Sequence, residues 1–478
     1  MCKVEHKEGQ SDIRHLAREG GNKISLITVS AAVLLVSLDS TSVITALPNM
    51  ETDLRLSQAD LGWVLSAFLL TYSSFRLLSG YLSDLYGYRA VFLNGLIIFT
   101  AACLASGVST SRGLLFAARA IQGGAGAVIA TSALSLLADI FENTTERARA
   151  MAAYGFASAG GSAVGLLLGG LLASTCGWRW IFLLNIPLGI STYLASRLFL
   201  PDGVHIRGGR SLDLAGIITM TLSLTLVTYA LLESGRPGER ISRTVMLLFG
   251  VAILVAFFIR IESRATTPLL PGFLFQVPSF LACCIISILF SAAGTASVFV
   301  SLYLQFVRHY EPFRTGIAFL PLSLSMALTS LGPAAKLVAL WGIRWPIAGG
   351  LLLMATGLIF LGNASIDGSV NTTVLPGLTL MGVGHGIILS PLYVGAMSGV
   401  APHDTGVVSG IIGTTSSIGR VLGLALLVSI AAACTGQLTA EGQPMTVALN
   451  VGYHTVFLLA ALLAAITAIF CVIALRVR

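Results

Sequence analysis

GYLSDLYGYR, from Gly80 to Arg89, is the only strongly polar interruption between two long apolar stretches. It places an acid, Asp84, and a base, Arg89, in a frame set by Gly80 and Gly87. Because each crossing of a bilayer needs about 20 apolar residues, a short polar segment between two such runs is typical of a loop joining two membrane helices. The stretch therefore predicts an all-α polytopic membrane protein.

The composition indicates that lipid is the solvent for most of the chain. Of the 478 residues, 55% are hydrophobic and 10% are charged, and the mean hydropathy is +0.88, whereas about 25% of residues are charged in a soluble domain. The formal net charge of +7 could indicate a nucleic-acid partner. The basic residues concentrate in the first 23 residues and in short connectors, so we predict basic cytoplasmic loops and no nucleic-acid binding.

The cysteines and the N-terminus exclude other classes. The seven cysteines are scattered, mostly in apolar segments, and form no CxxC or Cys/His cluster, so we predict free thiols, no metal site and no cofactor. Residues 1–23 lack the apolar core and small-residue cleavage site of a signal peptide. We expect them to form a polar cytoplasmic tail.

Apolar runs of membrane-spanning length number about fourteen. Their approximate bounds are 25–48, 59–80, 90–108, 113–137, 149–174, 180–200, 212–232, 244–260, 278–305, 315–339, 344–362, 372–397, 405–433 and 453–475. The runs are continuous rather than alternating, which argues against a β-barrel. The distribution of basic residues predicts a multi-pass protein of the cell membrane (plasma or inner membrane) with both termini in the cytoplasm, although the loop containing Arg236, Arg240 and Arg243 would then lie outside.

The runs divide as six, two and six. Gly342 and Arg344 follow the tenth run as Gly87 and Arg89 follow the second, with Ala339 at the position of Asp84. Such an echo favours two repeated halves with substrate held between them. The predicted segments are a tail (1–23), an N-terminal six-helix bundle (24–200), a linker with two extra transmembrane helices (201–276) and a C-terminal six-helix bundle (277–478).

Five stretches of the first half carry a resemblance to a known family. They are LDSTSVITALP (Leu38–Pro48), GYLSDLYGYR, RAIQGGAGA (Arg119–Ala127), GSAVGLLLGG (Gly161–Gly170) and WRWIFLLNIPLG (Trp178–Gly189). In this order and placement the chain resembles the major facilitator superfamily of transporters. The count of fourteen is similar to its fourteen-helix drug/proton antiporter branch, and the resemblance implies the major facilitator fold.

Two charges fall inside the membrane in the first half. Asp39 lies about 14 Å below the outer end of the first run, and Arg119 lies about 12 Å below the outer end of the fourth. An intramembrane acid is costly, and burial favours its protonated form, so we predict proton coupling at Asp39 and Arg119. The resemblance associates this arginine with the same role. The alternative is a permanent structural ion pair.

The fifth run contains a strip of small residues spaced four apart: Ala153, Ala157, Gly161, Gly165, Gly169 and Ala173. Together with Gly170 it resembles the antiporter motif GxxxGPxxGG, but Leu166 stands at the position of the proline, which removes the expected kink and weakens the prediction of transport direction. We expect close helix packing, including packing against the second half as a gate. Generic helix packing is the alternative.

For the Gly80–Arg89 loop we predict a gate. Asp84 could pair with Arg89 or lie at a helix N-terminus of the other half, where the helix dipole favours an anion; a plain helix end in water is the alternative. His385 and Arg420 are candidates for a substrate cavity, with Arg420 suited to an anionic cargo. For Arg76 we expect snorkelling to the cytoplasmic surface.

These features predict a proton-coupled exporter, working by alternating access and as a monomer. Its small-molecule cargo would, by resemblance, be drugs, antibiotics or similar amphipathic compounds. One alternative is a transporter of the same fold for a siderophore, sugar or amino acid, or an importer. A membrane-embedded enzyme is disfavoured, since the sequence has no HExxH helix, no GxSxG elbow and no phosphate-binding loop.

Overall fold

The computed structural model describes residues 2–201 and 274–475, apart from positions 57, 142, 275, 367, 399 and 401–403, and scattered positions between 219 and 261. Within these residues the regular structure is helical. The first part contains seven α-helices: α1 (Cys2–Leu54), α2 (Gln58–Tyr86), α3 (Tyr88–Gly107), α4 (Arg112–Ile140), α5 (Thr144–Thr175), α6 (Arg179–Leu183) and α7 (Asn185–Phe199).

The second part contains more broken helices. They are α8 (Pro278–Gly294), α9 (Ala296–Leu302), a π-helical turn (Tyr303–Val307), α10 (Pro312–Ala318), α11 (Leu320–Leu331), α12 (Pro333–Trp341), α13 (Arg344–Leu361), α14 (Val370–Met397), α15 (Thr405–Ala440) and α16 (Met445–Ala474). The predicted run 315–339 is thus divided among three helices. Proline stands in the first turn of each of them, where its missing N–H is tolerated.

The described helices fit a multi-pass membrane protein. By length and composition, ten of them could each cross a bilayer, or eleven if one bent pair is a single span. More than half of the residues of two predicted spans, 212–232 and 244–260, lie outside the described residues. The predicted total of about fourteen therefore stays a prediction, as do the segment boundaries.

Helices pack mainly within two groups. In the first, α1 packs on α5 and α2 on α4; in the second, α13 packs on α14 and α8 on α15. The groups meet where α2 contacts α15 and where α5 contacts α11 and α14. We call the membrane face where α2 ends the Asp84 side, and the face where α1 ends the Asp53 side.

The echo between the halves is visible in the backbone. Gly87, between α2 and α3, has φ 89°, and Gly342, between α12 and α13, has φ 68°. Both lie in the left-handed region that favours glycine over other residues. The two loops therefore turn by the same device, although only the first has an acid at the Asp84 position.

The small-residue strip of α5 has a different neighbour from the one expected. A Cβ added at Gly161, Gly165 or Gly169 would lie 2.5–2.6 Å from the carbonyl oxygens of Leu34, Leu38 or Ser42, all on α1. The strip therefore allows α1 and α5 of the same half to approach closely. The expectation that it faces the second half is wrong, and other residues of α5, such as Gly155 beside Leu389, make that contact.

This packing predicts a sharp contrast between adjacent glycines. Gly161→Ala should destabilise the protein by about 1–3 kcal/mol, because the new methyl overpacks the contact with α1. Gly160→Ala should be nearly neutral, since a Cβ there meets no atom within 4 Å. Thermal unfolding of the two variants in detergent compares them. Equal midpoints would contradict the assignment of this face to the α1 contact.

Candidate functional site: a buried ion pair and an inter-bundle latch

The two intramembrane charges predicted from the sequence form an ion pair. Arg119 Nη1 lies 2.7 Å from Asp39 Oδ2, and the side chains are 1% and 0% exposed. Arg119 also donates from Nε to the carbonyl of Val64 at 3.3 Å. A buried pair is tolerated only when its remaining donors and acceptors are satisfied.

Two amides complete the surroundings of the Asp39 carboxylate. Gln122 Nε2 and Asn185 Nδ2 both donate to Asp39 Oδ1, at 3.3 Å and 2.9 Å. Gln122 Oε1 in turn accepts from Arg119 at 3.0 Å and from Ser106 at 3.1 Å. Five elements, α1, α2, α3, α4 and α7, thus contribute to one buried polar cluster, with α2 supplying the Val64 carbonyl.

Local structure explains how Asn185 reaches this cluster. The predicted run 180–200 divides at Leu184 into α6 and α7, and Asn185 is the first residue of α7. Phe182, on the preceding α6, lies beside the Arg119 guanidinium, 5.8 Å from ring centroid to Cζ. Sequence reasoning missed Gln122 and Asn185 as site residues, although both stand inside stretches that carried the family resemblance.

One atom of the cluster is unsatisfied. Asn185 Oδ1 is buried and, within the described part of the chain, has no hydrogen-bond partner. Most buried polar atoms in proteins are paired, and an unpaired one calls for an explanation. The cluster thus keeps one free acceptor beside the acid.

Asp84 lies at a helix N-terminus of the second half. Its Oδ1 and Oδ2 accept from the backbone N–H groups of Gly406 and Val407 at 2.9 Å and 2.8 Å. These residues open α15, where unpaired N–H groups and the helix dipole favour an anion. The Asp84 residue is 8% exposed. The alternative expectation, that Asp84 only ends a helix in water, is therefore wrong.

Neighbours of Asp84 extend the contact between the halves, which we call the latch. The Tyr88 hydroxyl lies 3.0 Å from Thr405 Oγ1. A Cβ at Gly80 would lie 2.2 Å from the carbonyl oxygen of Gly406, so only glycine permits this approach. Arg89 donates to the Arg197 carbonyl of its own half at 2.7 Å. The latch holds α2 against α15 on the Asp84 side.

Arg76 does not snorkel, so that expectation is wrong. Its side chain is 4% exposed and donates to the carbonyl of Gly413 on α15 at 3.2 Å. The guanidinium lies 5.1 Å from the centre of the Tyr72 ring and interacts with Tyr154 and Tyr393. Arg76 therefore belongs to the interface between the halves, one turn or more deeper than the latch.

The two candidate cavity residues lie near this interface. Arg420 is exposed at the sixteenth position of α15 and His385 is half-buried on α14. Arg420 interacts electrostatically with Arg76, Tyr154 and Tyr393, which are buried between the halves. Its exposure is therefore to space between the halves rather than to lipid.

An acid on the opposite side differs from the buried ones. Asp53 accepts from Arg179 and from the Trp178 indole, and these contacts lower the pKa of its carboxyl. Its side chain is 45% exposed. With Arg179 it forms an ordinary surface ion pair at the end of α1, the helix that also carries Asp39. Elsewhere, the described residues contain no group of three or more side chains suited to a metal ion.

Comparisons with known proteins place the chain in a family. The model of the Major Facilitator Superfamily matches residues 29–424. The puromycin resistance protein pur8 of Streptomyces alboniger is 36% identical over 87% of this chain and 83% of its own length. The cephamycin export protein CmcT of Amycolatopsis lactamdurans is 32% identical over 87% of this chain and 86% of its own length. The tetracenomycin C resistance and export protein of Streptomyces glaucescens is 30% identical over 84% of this chain and 74% of its own length.

A solved structure agrees on the fold. The crystal structure of the human organic anion transporter MFSD10 (TETRAN) superposes with a TM-score of 0.68 at 17% identity, over 93% of this chain and 99% of that one. The protein is a multi-pass membrane transporter. It belongs to the Major Facilitator Superfamily, with its relatives in the drug-efflux branch.

The latch predicts a shift in the balance between conformations. Asp84→Ala removes two hydrogen bonds to a charged group, each worth about 1.5–3 kcal/mol, so conformations open on the Asp84 side should gain population. Spin labels at the exposed residues Tyr86 and Lys336, one in each half, would report longer distances by double electron–electron resonance. Unchanged distances would contradict the latch. The control is Asp53→Ala, on the other side of the membrane.

Proposed function

We propose that the protein is a proton-coupled exporter of antibiotics or similar amphipathic small molecules. The observation that carries the proposal is the buried Asp39–Arg119 pair. An intramembrane acid paired with an arginine is costly to keep, and proton binding to Asp39 would release the guanidinium. The names of the relatives support the cargo class, and no nucleotide is required.

The site has the parts that a proton switch needs. With Asp39 protonated, Arg119 still has the Gln122 and Val64 oxygens as acceptors. The orphan Asn185 Oδ1 could accept a hydrogen bond from a protonated carboxyl or a water. Two states of the cluster, one ionised and one neutral, would therefore both be tolerated. A permanent structural pair would not need the spare acceptor.

Alternating access follows from the inaccessibility of Asp39. The carboxylate is 0% exposed, so a proton must arrive in another conformation. The latch closes the Asp84 side in this one, and opening it would separate α2 from α15. Energetically, one charge moving through about 100 mV supplies roughly 2.3 kcal/mol, enough for a gradient of about fiftyfold.

Asp39→Asn should abolish transport driven by a pH gradient. The amide keeps the size and some hydrogen bonds of the side chain but cannot exchange a proton at neutral pH, so exchange of cargo without a gradient should persist. Proteoliposomes with an imposed pH gradient measure the first, and counterflow of a labelled cephamycin, the carboxylate antibiotic for which one relative is named, measures the second.

Asp53→Asn is the matched control on the same helix and should transport normally. Circular dichroism should show that both variants keep their helix content. Full gradient-driven export by the Asp39→Asn protein would overturn the assignment of coupling to this residue. Loss of counterflow together with gradient-driven transport would indicate a structural role for the acid instead.

For orientation, we propose a protein of the cell membrane with both termini and the latch in the cytoplasm. The distribution of basic residues supports it. Cys176, exposed between α5 and α6 on the Asp53 side, tests it. A membrane-impermeant maleimide should label intact cells through Cys176 and lose most of that labelling in Cys176→Ser. Labelling of Cys176 only after permeabilisation would reverse the orientation.

A further inference from the structure

Two arginines from opposite halves lie near each other between the bundles. Arg76 is on α2 and donates to the Gly413 carbonyl of α15 at 3.2 Å. Arg420 lies seven residues after Gly413, two turns along the same face of α15, and Arg76 acts electrostatically on its guanidinium. Among the residues that the structure describes, neither has an Asp or Glu carboxylate within 4.0 Å, in contrast to Arg119. Two like charges inside a membrane protein are unfavourable unless an anion compensates them.

Arg420 leaves most of its hydrogen-bonding capacity unused. Arg420 makes one hydrogen bond within the described chain, from Nη2 to Ser417 Oγ at 3.4 Å, although a guanidinium has five N–H donors. Arg76 Nε is buried without a partner there. The free donors of Arg420 lie on an exposed side chain, so they are available to a ligand in the space between the halves.

Aromatic and neutral polar groups surround the two charges. Tyr72, Tyr154 and Tyr393 act on both guanidiniums, and Tyr154 and Tyr393 form an edge-to-face pair across the halves, 6.3 Å between centroids. The ring centroids of His385 and Phe290 lie 4.3 Å apart, and the His385 nitrogens have no hydrogen-bond partner among the described residues. Such a lining fits a flat, amphipathic molecule with one charged group.

We propose that the cargo is an organic anion, and that Arg420 binds its carboxylate with Arg76 contributing the second positive charge. A guanidinium matches a carboxylate by two parallel hydrogen bonds. The aromatic rings take the apolar body of the molecule. This inference deepens the proposed export function and rests on it for direction: exchange of one monovalent anion for one proton would move two charges across the membrane.

Two dyes that differ at one group test the cargo class. Dansylglycine has one charged group at neutral pH, a free carboxylate, and its methyl ester is neutral. The full chain in lipid nanodiscs, without any pH gradient, should bind dansylglycine roughly tenfold more tightly than the ester by fluorescence anisotropy, as expected for a hydrogen-bonded charged group.

Substitutions at Arg420 assign the preference to this residue. Arg420→Gln should remove the preference while leaving binding of the neutral methyl ester unchanged, and Arg420→Lys, which keeps the charge, should retain part of it. Arg112→Gln is the control, since Arg112 is 70% exposed on the Asp53 side and pairs with Asp60 at 3.5 Å. It should alter neither affinity.

Equal affinity for dansylglycine and its methyl ester, no binding of dansylglycine, or an equal loss of both in Arg420→Gln would each overturn the proposal. The same preparations in proteoliposomes then separate cargo from coupling. A carboxylate preference that persists without gradient-driven transport would support the anion site and contradict the proton-coupled export.

Discussion

The ion pair between Asp39 and Arg119 is the constraint on which the first half depends. Neither charge could stay in the membrane interior alone, because an unpaired buried charge destabilises a protein by several kcal/mol. The pair therefore requires α1 and α4 to be held at a fixed distance. It also requires the amides of Gln122 and Asn185, which α4 and α7 supply.

The packing of α1 meets this requirement. Gly161, Gly165 and Gly169 bring the backbone of α5 against Leu34, Leu38 and Ser42, which lie in the turns of α1 around Asp39. Small residues are the usual means of close approach between membrane helices, where no hydrophobic force drives association. The strip thus fixes the position of α1 from one face of that helix, while the partners of Asp39 lie on the opposite face.

The two halves are joined differently. On the Asp84 side a carboxylate meets the first N–H groups of α15, and deeper in the membrane Arg76 meets the Gly413 carbonyl of the same helix. Each contact joins a charged group to backbone rather than to an opposite charge. Such contacts form when the two helices meet and break when they separate, which suits an interface that must open. The pair inside the first half, by contrast, lies away from this interface.

The sequence predicted these features unevenly, for physical reasons. Depth along a helix follows from residue counting, so Asp39 and Arg119 could be matched from the sequence, and the loop spacing allowed Asp84 a helix N-terminus. The direction in which a side chain points around a helix does not follow in the same way. Arg76 is four residues before Gly80, so residue counting does not distinguish a side chain that reaches the cytoplasmic surface from one that is buried between helices. The α5 strip could face either α1 or the second half. Pro187, in the first turn of α7, marks the helix break at Leu184 in the sequence, but it does not indicate that the Asn185 side chain points at Asp39.

One row of aromatic residues connects the two charged sites. Phe68 and Tyr72, one turn apart on α2, stack at 5.5 Å. Arg119 lies over Phe68 at 4.5 Å, and Arg76 lies over Tyr72 at 5.1 Å. A cation over a ring is attracted to it, so both guanidiniums are held on the same face of α2. If protonation of Asp39 changes the position of Arg119, the change acts on the helix that also holds Arg76 and ends in the latch. Helix α2 is therefore the physical element shared by the proposed proton site, the proposed anion site and the latch. An element with two positions, biased by groups at both sites, is what coupling between a proton and a cargo requires.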